Sequence, residues 1–157
     1  MSTKDDLSAT NWAALVAAAP AIARAVSASS GSSRQSASEL HAFVEFVSDA
    51  AAGAGTDDIL GQLVSGVGSL LAVGVEPVSG DAFMDGLEQA RRAGAILAVE
   101  FEPGEAQAVR AWYLAAAQAV AAAAREGGVL GIGATDLSKW ERQTIQSIAD
   151  ALGADSP

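Results

Sequence analysis

Apolar residues along this chain recur every three to four positions, the spacing of a helix face, and the β-branched residues are scattered rather than alternating. Behind Ser36-Ala37-Ser38-Glu39, a stripe of Leu40, Phe43, Val44, Phe46 and Val47 runs on into Ala50 and Ala51. Behind Ser138-Lys139-Trp140-Glu141, Trp140, Ile145, Ile148, Ala149 and Leu152 form a second stripe. Phe83, Leu87, Ala90, Ile96 and Leu97 predict a helix over roughly 81–100, and a near-continuous alanine run with Val109, Trp112, Tyr113, Leu114 and Val120 predicts another over about 104–126. The segment 57–73 is apolar on more than one side, and its Gly61, Gly66 and Gly68 suit close packing against another helix. The expected fold is all-α: one domain, a bundle of about six helices.

Punctuation between these stretches sets the expected boundaries. Residues 1–9 read as a frayed tail. Thr10 or Asn11 can cap a helix starting at Trp12, and Pro20 must start a new turn or kink that helix because it has no amide proton. Ser27–Gln35 reads as a loop, and Gly53-Ala54-Gly55 ends the next helix. Thr56 with Asp57 and Asp58, then Ser79, then Pro103 mark helix starts. Gly127-Gly128 and Gly153 mark ends.

One pattern occurs twice. An alanine-rich segment opened by a Trp leads into a glycine-containing loop, then Ser-x-x-Glu, then an amphipathic helix. The first copy runs from Trp12 through Gly31 and Glu39 to Ala50, and the second from Trp112 through Gly127 and Glu141 to Leu152. Phe43 matches Ile145, Phe46 matches Ile148, Val47 matches Ala149 and Ala50 matches Leu152. This predicts two helix–loop–helix units, 12–52 and 104–153, related by a pseudo-twofold axis and joined by middle helices over 56–101. Ser-x-x-Glu is also the capping-box pattern, in which Ser accepts from the amide three residues on and Glu reaches back. Capping alone accounts for both motifs.

The same residues resemble the TerB-like family, helical proteins named for tellurite resistance. The likeness lies in Ser30-Gly31 followed by Ser36-x-x-Glu39, and in Glu126-Gly127 followed by Ser138-x-x-Glu141. It covers roughly the two end thirds and rests on short motifs. The family's usual Asp before Gly is Ser30 in one copy and Glu126 in the other, and both loops are longer than the family's spacing. The resemblance implies divalent-cation binding through Glu39 in one copy and Glu126 with Glu141 in the other. Calcium takes six to eight oxygen ligands. The second loop offers Glu126, Asp136 and Glu141, which are the candidate metal residues. The first copy offers Glu39 and hydroxyls.

Charge and composition narrow the field. With 157 residues the chain is long enough for a real core, and a net charge of −10 disfavours nucleic acid as a partner. The absence of cysteine removes disulfides, thiolate metal sites and thiol nucleophiles, and fits a cytoplasmic protein. The most apolar stretch, 59–75, is interrupted by polar residues and glycines and falls short of the roughly 20 residues of a transmembrane helix. Gly127-Gly128-x-x-Gly131-x-Gly133 lacks the Lys-Ser/Thr of a phosphate loop. His41 is the single histidine, four residues before Glu45, and reads as a surface or boundary residue. Glu88 and Arg92 are spaced for a surface ion pair, and Trp12, Trp112 and Trp140 suit a core before a ligand pocket. No catalytic residue is assigned, and an enzyme ranks last among the readings. First stands a non-enzymatic interaction or stress-response module, acting through a protein partner or as a homo-oligomer. The alternative is a bundle that holds a small apolar ligand.

Overall fold

The computed structural model describes residues 2–29, 33–55, 57–75, 80–126 and 139–154, with side chains for all of these but 33–35 and 124–126. A short 3-10 turn, Lys4–Asp6, precedes six α helices: α1 (Ala9–Ser29), α2 (Ser33–Gly53), α3 (Ile59–Val73), α4 (Ala82–Glu100), α5 (Pro103–Glu126) and α6 (Lys139–Leu152). No strand occurs among the described residues. The chain is the all-α, single-domain bundle that its periodicity predicts.

α1 is the centre of that bundle. From Ala14 to Ser27, every residue but Ala17 and Arg24 is buried, and the helix packs against each of the other five. α1 is long and apolar enough to cross a bilayer by length and composition, but 67% of its most apolar window lies buried inside the bundle. Where glycine faces it, backbones come close. A Cβ placed on Gly86 of α4 would meet Ala25 Cβ at 2.5 Å and the Ala21 carbonyl oxygen at 2.8 Å. One placed on Gly94 would meet the carbonyl oxygens of Ala151 and Leu152 at 2.8 Å, so α4 also lies tight against the end of α6. In α3 only Gly66 has the expected helix-packing role, since its Cβ would sit 3.0 Å from Trp12 and 3.1 Å from Val16. Gly61 faces the carbonyl of Gly55 in the preceding loop, and Gly68 has nothing nearer than Val47 at 3.9 Å.

Pro20 neither restarts nor ends α1, which is one helix from Ala9 to Ser29. Proline still removes the amide that the Val16 carbonyl would otherwise accept from. Next to this gap the fully buried Tyr113 of α5 donates its hydroxyl to the Leu15 carbonyl at 2.7 Å. A buried phenol needs such a partner, and here the bond ties α5 to α1.

The helix ends differ from expectation in ways that side-chain chemistry explains. Ser8, not Thr10 or Asn11, caps α1: its hydroxyl accepts from the Asn11 amide at 3.1 Å and its carbonyl from the Trp12 amide at 2.9 Å. Asp58 caps α3, accepting from Gly61, and Asp81 caps α4, accepting from Phe83 and Met84. A carboxylate there satisfies free amides and the positive end of the helix dipole together. Thr56 and Ser79 lie outside the described residues. Pro103 opens α5 as expected. Gly153, at φ 68°, ends α6: its amide bonds to the Asp150 carbonyl and that of Ala154 to the Ala149 carbonyl, the paired bonds of a Schellman end. Arg110 of α5 adds a bond from Nε to the Leu152 carbonyl at 2.9 Å.

Residues 2–8, expected to fray, are instead held by hydrogen bonds. Thr3 and Asp6 form a capping box on the 3-10 turn. The Ser2 amide and hydroxyl donate to the two carboxylate oxygens of Glu105 at 2.8 and 2.7 Å, and these bonds hold the Glu105 carboxyl below its ordinary pKa. The Lys4 amide donates to Gln62 at 2.8 Å.

Two outcomes follow for stability, both measurable by denaturant unfolding. Gly86→Ala should lose about 1–3 kcal/mol by forcing α1 and α4 apart, whereas Gly68→Ala, whose methyl meets only Val47 at an ordinary 3.9 Å, should gain about 0.5–1 kcal/mol from helix propensity. Tyr113→Phe should cost about 1 kcal/mol at neutral pH. Burial also raises the Tyr113 pKa above its ordinary 10.0. The unfolded chain therefore releases this proton first, so the contribution is full below about pH 10 and is lost as pH rises beyond it. Tyr113→Phe should flatten that alkaline loss.

Candidate functional site

Each copy of the doubled pattern places its glutamate inside. Glu39 is 1% exposed and Glu141 is 4% exposed, and no other Asp or Glu is buried among the described residues. The geometry of i, i+4 stacking explains the first case. Glu39, Phe43 and Val47 lie one turn apart on the face that α2 turns to the core, while Leu40 and Val44, expected to face inward, are rotated outward to 37% and 42% exposure. In α6 the inner line is Glu141, Thr144, Ile148 and Leu152, and Trp140, also expected inward, is 68% exposed.

The two glutamates differ in what satisfies them. α6 begins at Lys139, so Glu141 falls in the first turn, where a capping-box glutamate belongs, and it has a bonding partner. Ser138 lies outside the described residues. α2 begins at Ser33, so Ser36 is already within the helix and Glu39 stands on its seventh position. Neither oxygen of Glu39 receives a hydrogen bond. The capping-box reading of Ser36 with Glu39 is thereby overturned, because a reach-back bond to the Ser36 amide would have engaged that carboxylate. Burying an unpaired carboxylate is among the more costly things a core can do.

The other sequence candidates are placed as follows. The side chain of Glu126, Asp136 and the glycine-rich loop 127–133 lie outside the described residues. Among the described residues no three His, Asp or Glu side chains gather as a metal-binding group. His41 and Glu45 are both exposed and lie 3.4 Å apart along α2. The expected Glu88–Arg92 pair does not form; the cation that pairs with α4 is Arg24 of α1, 3.7 Å from Asp85. Trp112 is core, with Phe46 at 6.0 Å and Tyr113 at 5.6 Å between ring centroids, and its indole N–H is buried without an acceptor. Trp12 lies beneath the Lys4 ammonium, 5.6 Å from the ring centroid. Trp140 borders a cleft of about 440 Å³ with Phe83, Asp81 and Thr144, between α6, the start of α4 and the end of α1.

Arg24 carries the feature the sequence did not announce. It is one charged residue in a run of alanines, and its Nε is buried with no acceptor. The one available signal was its position, four residues after Pro20 on the same face of a helix with no other charged residue.

Glu39→Leu should raise the unfolding free energy by about 1–3 kcal/mol in metal-free buffer, since it removes a buried, unsatisfied group. Glu141→Ala should instead lower it by about 0.3–1 kcal/mol through loss of the first-turn acid. Urea titrations monitored by circular dichroism compare the two. Comparison with protein-family models, with curated proteins and with solved structures gave no match.

Proposed function

We propose that this chain is a non-enzymatic helical module of the TerB-like kind, working through a protein partner or a second copy of itself, and that Glu39 and Glu141 make it responsive to a divalent cation. The observation that carries this reading is the burial of both motif glutamates, with Glu39 left without any donor. Evolution toward stability alone favours an apolar residue at such a position. A hard cation would satisfy an inward carboxylate and offset its desolvation. The fit is partial. Glu39 stands on α2 and Glu141 on α6, and a single buried carboxylate at each is fewer than tight calcium binding requires, so the expected affinity is weak. Exposed apolar side chains on several helices, among them Leu40, Val44, Met84, Val99 and Trp140, support the partner half of the reading.

Thermal unfolding in EDTA and at millimolar calcium, magnesium or manganese tests the cation half. The wild type should gain several degrees with at least one ion. Glu39→Gln and Glu141→Gln should each reduce the gain and the double variant should abolish it, and Asp136→Asn and Glu126→Gln extend the test to the remaining motif acids. No shift with any ion would remove the cation from the proposal. Light scattering of the wild type decides between a monomer that needs another partner and a homo-oligomer.

A further inference from the structure

The segment ahead of α1 carries a feature independent of the two buried glutamates. Residues 2–7 are tied across two helices that lie far from them in sequence. Ser2 gives both its amide and its hydroxyl to the Glu105 carboxylate in the first turn of α5, at 2.8 and 2.7 Å. The Lys4 amide reaches the Gln62 side chain of α3 at 2.8 Å. Between these anchors the Thr3 amide and hydroxyl both donate to the Asp6 carboxylate at 2.8 Å and close the turn. All of these bonds but the one to Gln62 end on a carboxylate.

Apolar contact adds little to this hold. Leu7 is half-buried against the core, and residues 4–6 are exposed. What the segment covers is a flank of α1. Lys4 and Asp5 form part of the wall of a cleft of about 580 Å³, together with Trp12, Val16, Gln62 and Gly66. The Lys4 ammonium lies 5.6 Å from the centre of the Trp12 ring. A segment held by exposed hydrogen bonds and few apolar contacts opens locally, well before the bundle unfolds. Charge governs the opening here. An ionised carboxylate accepts both Ser2 bonds, whereas a protonated one turns an oxygen into a donor and loses the charge that strengthens them.

We propose that residues 2–7 form an acid-released strap: protonation of Glu105 frees Ser2, the segment leaves α3 and α5, and the cleft beside Trp12 opens while the six helices stay folded. The Ser2 bonds hold the Glu105 carboxyl below its ordinary 4.5, and the Thr3 bonds hold that of Asp6 below its ordinary 3.8. A carboxyl lowered in the folded state contributes fully above its ordinary value, and the contribution is lost as pH falls through the lowered one. Release therefore falls below about pH 4.5. The amino group of the chain acts on Glu105 in the same direction as Ser2. The other charged groups on the elements that the strap touches are its own Lys4 and Asp5, Asp57 and Asp58 at the head of α3, and Glu100 and Glu102 at the junction of α4 and α5. Asp58 also accepts a hydrogen bond, from the Gly61 amide, so its variant serves as the control.

Nitrogen–proton correlation NMR from about pH 7 to about pH 3, across the ordinary carboxylate range, tests the strap. The Lys4 amide is the reporter, because its acceptor Gln62 does not titrate. Its resonance and that of the Trp12 indole should leave their native positions with one midpoint below about pH 4.5, while the resonances of Tyr113 and Trp112 in the core stay native. Glu105→Gln should release the strap at neutral pH, where the Lys4 amide should exchange with solvent at least about tenfold faster than in the wild type. Asp58→Asn keeps a helix cap and should leave the midpoint unchanged. The proposal is overturned if the Lys4 amide holds its native position throughout the titration, if Glu105→Gln keeps the strap seated at neutral pH, or if Asp58→Asn moves the midpoint. It is equally overturned if the Tyr113 and Trp112 resonances move with the same midpoint, since the event is then acid unfolding of the whole bundle.

Discussion

Everything in this bundle is arranged around the enclosure of α1. A helix buried on all sides by five others must present small side chains, because large ones would hold its neighbours too far away for all of them to reach it. Alanine and glycine meet that requirement, and the approach of Gly86 to Ala21 and Ala25 shows how far it is taken. Each alanine buries little area, so cohesion comes from dense packing between backbones rather than from large side chains. Such an interface tolerates few changes. A single added methyl at Gly86 meets backbone, which cannot turn aside as a side chain can. Large residues, Leu15, Ile22, Val26, Phe43 and Tyr113 among them, fill what remains between the close contacts.

The helix count, the helix class and most boundaries were legible because they depend on local signals: periodicity, Pro103, Gly153, and acids near helix starts. Rotation about each helix axis was less legible. Leu40 and Glu39 differ by one position, and sequence alone favours the leucine for the core. What decides is the i, i+4 alignment of Glu39 with Phe43 and Val47, which are the residues facing the interior. Trp140 fails in the same way, since hydrophobicity argued for burial while the line of Thr144, Ile148 and Leu152 put its neighbour Glu141 inside. Ser8 was hidden by the assumption that a chain terminus frays, whereas Ser2 and Lys4 bond to α5 and α3. Arg24 was invisible because its significance lies in a missing acceptor, which only three-dimensional placement reveals.

The doubled pattern gains meaning from the point at which its copies part. Their apolar positions match in sequence and both bury a glutamate, but the inner lines differ, Phe43 and Val47 following Glu39 and Thr144, Ile148 and Leu152 following Glu141. Their helices do not start at the same place. α6 begins two residues before its glutamate, so helix-end chemistry accounts for that acid. α2 begins six residues before its own, and by then the backbone amides are engaged in the helix ladder. A glutamate serving only as a cap would have lost its reason to persist in α2, and an apolar residue there would pack better. The copy that departs from capping geometry is thus the stronger argument for a ligand, although sequence pointed to the other, with its greater number of acids.

Glu39 and Arg24 pose one physical question with opposite signs. Each retains buried atoms that no side chain or backbone group satisfies, Glu39 as a buried residue and Arg24 as a partly exposed one paired with Asp85. They sit on neighbouring helices yet do not pair with each other, which would have been the simplest way to neutralise both. Folding alone therefore leaves both deficits standing.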